Sequence, residues 1–154
     1  MTLPQERLED RSVYYFTVNL FSDAPFIKIV DAFPESETLT LPTIAVRNGT
    51  ILTAPWEMGA RKRYKGRYWF FDIFAKTKDQ RDDIGYRLLN ALELPIAVYN
   101  YNEGFPPDIT PSQLGSLLPD EIRFEPIEII PEIVGKENLY FRAQVTLVAY
   151  FNNF

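Results

Sequence analysis

Tyr140 to Phe151 reads apolar and polar in strict alternation, and no other stretch constrains the fold so tightly. Phe141, Ala143, Val145, Leu147, Ala149 and Phe151 fall on one side of an extended chain. Arg142, Gln144 and Thr146 fall on the other, with Tyr140 and Tyr150. A period of two over such a length is a β-strand with one face against a core. Its apolar face must be covered by another layer, so the fold is built around a sheet.

A second strand, Arg67 to Lys76, is different. Trp69, Phe71, Ile73 and Ala75 lie on one face, and Tyr68, Phe70, Asp72, Phe74 and Lys76 on the other. Both faces are largely apolar, which predicts a central strand covered on both sides. Thr77 and Gln80 follow as a capping box. The helix they open, Asp79 to Leu92, carries Ile84, Leu88, Ala91 and Leu92 as one apolar stripe. Pro95 stops it, and Ile96 to Tyr101 reads as a short strand.

The N-terminal part is more ambiguous. Thr2 and Gln5 fit a capping box, with Pro4 in the permissive first turn, and the spacing of Leu8, Tyr15 and Val18 predicts a helix over about 3–21. Arg7, Asp10, Arg11 and Asn19 lie opposite that stripe. The run from Val13 to Val18 also has high strand propensity, so a strand is the alternative there. Phe26 to Phe33 is a strand candidate ended by Pro34. Thr43 to Arg47 and Thr50 to Thr53 flank Asn48-Gly49, the pattern of a two-residue type I′ hairpin turn. Pro55 to Arg67 is then a loop or a long hairpin arm, with Trp56 as a buried plug. Asn102 to Pro119 reads as loop, with a short helical turn from Thr110 or Ser112 through Leu118. Ile122 to Ile130, broken by Pro126, reads as an edge strand. The sum is one α+β domain over 1–154: a mostly antiparallel sheet, two helices packed on one face, and a long hairpin-like arm.

Composition narrows the chemistry. The chain of 154 residues has no cysteine and no histidine. Disulfides, thiol nucleophiles, Ser-His-Asp catalysis and His- or Cys-ligated metals are therefore excluded. The acidic residues Asp79, Asp82 and Asp83 sit at the start of a helix, where carboxylates favour the helix dipole. No phosphate-binding glycine motif or nucleophile elbow occurs. No apolar run is long enough to span a membrane, and the first ten residues lack a signal-peptide pattern, so a cytoplasmic site of synthesis is expected. No enzymatic activity, cofactor or metal is expected.

Charge is the remaining signal. Arg61, Lys62, Arg63, Lys65 and Arg67 put five positive charges into seven residues, while the chain as a whole is at −5, so the remainder carries −10. Such a run is a solvated loop, a contact for an acidic protein surface, or a nucleic-acid contact with Tyr64, Tyr68 and Trp69 for stacking. The acidic balance of the chain works against the last. Asp120 to Glu137, with Glu125, Glu128 and Glu132 among its carboxylates, is the acidic complement. It is either an edge kept soluble by charge or one half of a head-to-tail subunit contact.

The order of elements, with Leu41-Pro42-Thr43-Ile44-Ala45-Val46, Glu57-Met58-Gly59 and Asp72-Ile73-Phe74-Ala75-Lys76-Thr77 at their stations, resembles the tail-terminator (tail-to-head joining) proteins of long-tailed bacteriophages, the lambda minor-tail type, and their neck relatives. Pro34 to Leu92 carries most of the resemblance, and 102–136 departs from it as an insertion-like segment. The resemblance implies a structural virion protein assembled in the host cytoplasm. It implies a homo-oligomer, a six-fold ring that caps the tail tube. Its partners would be the tail tube protein and a head-completion or connector protein. DNA would be met only as the passing genome, and no membrane, cofactor or catalysis is implied.

Overall fold

A computed structural model of the chain describes residues 2–32, 40–55, 63–127 and 141–152. Two helices, α1 (Gln5–Leu20) and α2 (Lys78–Ala91), accompany six strands. These are β1 (Lys28–Val30), β2 (Thr43–Pro55), β3 (Arg63–Ala75), β4 (Ile96–Tyr99), β5 (Gln113–Ile127) and β6 (Phe141–Asn152). They form one sheet in the order β1-β2-β3-β6-β5-β4. β1 runs parallel to β2, and every other pairing is antiparallel. The fold is α+β, as the patterning requires.

The two strands with the strongest sequence patterns occupy the centre. β3 and β6 pair from Arg67↔Ala149 to Ala75↔Phe141. Their shared inner face presents Trp69, Phe71, Ile73, Ala143, Val145 and Leu147, all essentially solvent-free. Ile44 and Val46 extend that face onto β2, and Leu8 and Val13 of α1 with Ile84, Leu88 and Leu92 around α2 close over it. Both helices therefore cover one face. β3 is also covered on its other side at the C-terminal half, where Asp72 and Phe74 are out of solvent. Asp72 is fully hydrogen-bonded there, accepting from Arg47 Nε at 2.5 Å, Arg142 Nη2 at 3.3 Å and Gln144 Nε2 at 3.2 Å. Phe141, expected in the core, is 42% exposed at the first residue of β6.

Other expectations are corrected. Thr2 does not cap α1; the N-cap is Pro4, with no side-chain cap. Val13 to Val18 is helical, and the buried face of α1 includes Ser12 and Thr17. Their hydroxyls donate to the carbonyls of Leu8 and Val13, at 2.8 and 3.0 Å, so neither is left unsatisfied. The strand expected over 26–33 is only three residues long. Thr77 caps α2 as expected, accepting from Gln80 N at 3.1 Å.

Asn48-Gly49 makes no turn. β2 runs through it, and the register steps from Asn48↔Trp69 to Ile51↔Arg67. Two residues thus oppose one on β3, which is a β-bulge. Glycine is required there by close approach, since a Cβ on Gly49 would meet the Phe70 ring at 2.4 Å. The partner of β2 in the hairpin is β3. Within the segment 102–136, β5 arises and pairs with β6 from Ser116↔Asn152 to Ile127↔Arg142. The helical turn expected through Leu118 is strand. In the sheet order β4, not β5, is the edge, but β4 reaches only as far as Leu117, and around Pro126 no strand among the described residues pairs with that side of β5.

Candidate functional site

The basic run lies where the sheet narrows to two strands. β6 leaves β3 at Arg67, while β2 and β3 continue to pair from Ile51↔Arg67 to Pro55↔Arg63. A ribbon of two strands thus projects from the sheet, the hairpin-like arm expected from the sequence. Arg63 is its first β3 residue. Arg61 and Lys62, with the expected Trp56 plug and most of the turn, lie outside the described residues.

Arg67 does not face solvent. It is 1% exposed, at the root of the arm. Its Nη1 donates to Glu9 Oε1 at 2.8 Å, and its Nη2 to Asp10 Oδ1 at 2.6 Å. The guanidinium lies 4.6 Å over the Trp69 ring, and Trp69 Nε1 donates to the same Asp10 oxygen at 3.0 Å. Glu9 is equally buried and accepts a further bond from Gln5 Nε2 at 3.1 Å. Burial pushes the Glu9 carboxyl above its ordinary range, against the pull of the Gln5 and Arg67 hydrogen bonds. One step further out, Lys65 Nζ donates to Glu6 Oε1 at 2.6 Å, and this bond holds the Glu6 carboxyl below its ordinary range.

The reason is helical spacing. Glu6, Glu9 and Asp10 stand at i, i+3 and i+4 of α1 and so share one side of the helix. Lys65 and Arg67 alternate at i and i+2 on β3 and so share one face of the strand. The two periodicities mesh, and α1 becomes a rail of carboxylates along the arm root. The charge run alone could not show this. The three acids on one helix face were the available signal.

The acidic complement is described only in part. Glu125 is exposed on β5, accepting from Arg123 Nη1 at 3.3 Å, and Glu121 accepts from Arg123 Nη2 at 2.7 Å. Glu128 and Glu132 lie outside the described residues. By strand order the arm and β5 stand on different flanks of β6. The structure therefore brings Lys65 and Arg67 to α1, and neither to Glu125. Among the described residues no group of His, Cys, Asp and Glu is arranged to hold a metal ion, and no helix is long and apolar enough to cross a membrane. A scan against protein-family models and a search of curated proteins return no match for this chain.

Proposed function

We propose that this chain is a structural virion protein of a long-tailed phage, forming a ring that caps the tail tube and joins it to the head or neck. The observation that supports this reading is the projecting two-stranded arm with its root fixed by Arg67. A ring requires a heterologous contact, in which one patch of a protomer meets a different patch on the next. An arm held rigidly at one end of the sheet is suited to reach across such a boundary. The role is assembly, with no catalysis. Its partners are further copies of the chain, six to a ring, with the tail tube protein on one side and a head-completion or connector protein on the other. The acidic balance of the chain lets DNA pass without adhering.

The alternative, a nucleic-acid-binding module using the arm, has weaker support. Arg67 is spent on two carboxylates and Lys65 on a third, so fewer cations remain for phosphate. Sedimentation and negative-stain imaging, with and without purified tail tubes, test the proposal. Closed six-fold rings and tubes of uniform, capped length are expected. A protein that stays monomeric, leaves tubes unaffected and binds DNA with a steep salt dependence would replace this reading with the other.

A further inference from the structure

A groove of about 460 Å³ opens where the chain leaving α1 meets the first turns of α2. Phe21, Ile27 and Ile84 supply its apolar lining, and Phe26 stands at its side 66% exposed. Asp79 and Asp83 line it as exposed carboxylates, and neither makes an ion pair among the described residues. Arg87 also lines the groove, but its guanidinium is committed to Asp23 and to the Leu20 carbonyl, both at 2.8 Å. The site is thus an apolar recess with uncompensated negative charge at its rim.

We propose that this groove receives the β2–β3 arm of a second copy of the chain. The inference rests on the ring reading above and names the receptor patch that the reading leaves open. The arm has the complementary chemistry. Ile51 and Leu52 are 42% and 53% exposed on it. The sequence adds Arg61, Lys62 and Arg63 to the same arm. An apolar anchor entering a recess, with charge complementarity at the rim, is the arrangement that gives an interface both affinity and register.

Geometry forbids the contact within one chain. Leu52 pairs with Gly66, whereas the groove lies beyond Ala75 at the other end of β3. The intervening strand spans about 30 Å. Arm and groove therefore meet only head to tail, between copies. The open edge of β5 is the weaker receptor. Its Glu121 and Glu125 are tied to Arg123. Pro119, Pro126 and the bulge at Asp120 blunt it against strand addition.

The absence of cysteine makes the test clean. Thr53→Cys on the arm is mixed with Asp83→Cys at the groove and bridged by a short bismaleimide; Thr53→Cys mixed with Glu125→Cys is the competing pair. Covalent dimers are expected from the first pair and only background from the second. Dimers from the second pair alone would move the receptor to β5, overturning the groove while the ring reading stands. Background from both pairs, in protein that still forms rings, would also overturn the groove alone. Protein that is monomeric at every concentration would overturn both. As a second measurement, Asp83→Lys, beyond the first turn of α2, should leave the monomer melt nearly unchanged and weaken association several-fold. Undiminished association would count against the groove.

Discussion

Arg67 Nη2 lies 2.6 Å from Asp10 Oδ1, joining strand and helix across 57 residues of sequence. The same guanidinium holds Glu9, so one side chain binds two carboxylates at the point where the sheet becomes a ribbon. The arm is thereby anchored to α1 as well as to the sheet.

Removing that anchor is costly. Arg67→Met leaves the buried Glu9 and the half-buried Asp10 without their cation. A loss of about 3–5 kcal/mol in urea unfolding is expected, because breaking a buried pair from one side strands the other charge. The double variant Arg67→Met with Glu9→Gln should recover part of it. A single-variant loss within about 0.5 kcal/mol, the range of ordinary surface substitutions, would show that the network carries no stability.

Glu9 and Glu6 should give opposite pH slopes. Burial raises the Glu9 carboxyl above the ordinary value of 4.5, so the folded state retains a proton that the unfolded chain gives up first. Its contribution is fully present below that ordinary value and is lost as pH rises through the folded one. Lys65 lowers Glu6, whose contribution is present above the ordinary value and is lost as pH falls through the folded one. As pH rises above 4.5, Glu9→Gln should gain stability relative to the parent; as pH falls below 4.5, the deficit of Glu6→Gln should shrink, and above 4.5 it should stay constant. Parallel slopes in melts of the two variants would contradict this assignment.

Thr77→Ala removes the acceptor for Gln80 N at the start of α2. A loss of about 1 kcal/mol is expected, and Thr77→Ser should keep most of it. Thermal or urea unfolding of the pair decides; equal stability of Ala and Ser would mean that the cap contributes nothing.

Gly115→Ala tests the seam between β5 and β6. A Cβ there would stand 2.5 Å from the Asn152 carbonyl oxygen and 2.8 Å from the Phe151 ring. Backbone must move to admit it, at about 1–3 kcal/mol. Amide exchange should speed up at the C-terminal end of β6 before the centre. Wild-type stability and protection would show that the strands separate freely here.

The parts of the fold legible in sequence were those whose signal is periodic and long. β6, β3 and α2 were fixed by alternation, two-sided apolarity and the Thr77 cap. Two failures have a common cause. Asn48-Gly49 is the strongest local turn signal in the chain, yet β3 offers β2 an uninterrupted partner, and tertiary pairing overrides two residues of turn preference. Gln113 to Pro119 reads as loop because Gly115 and Pro119 are poor strand formers, but β4 and β6 bracket it from both sides. At the candidate site the cations were legible and their partners were not. A charge run is read as solvated until a helix bearing Glu6, Glu9 and Asp10 is known to lie across it.

The bulge at Asn48–Gly49 acts as a phase shifter. Before it, even-numbered residues of β2, Ile44 and Val46, share the helix-side face with Ile73 and Phe71. After it, odd-numbered residues take that face, Ile51 beside Arg67 and Thr53 beside Lys65. One extra residue has inverted the parity of the strand without interrupting it. Deleting Gly49 would leave Thr50 alone opposite Tyr68 and Ile51 still opposite Arg67, so the bulge would close while the arm kept its faces. The bulge thus absorbs one residue at the base of the arm, and the chain could gain or lose that residue while the faces of arm and sheet stay in phase with β3.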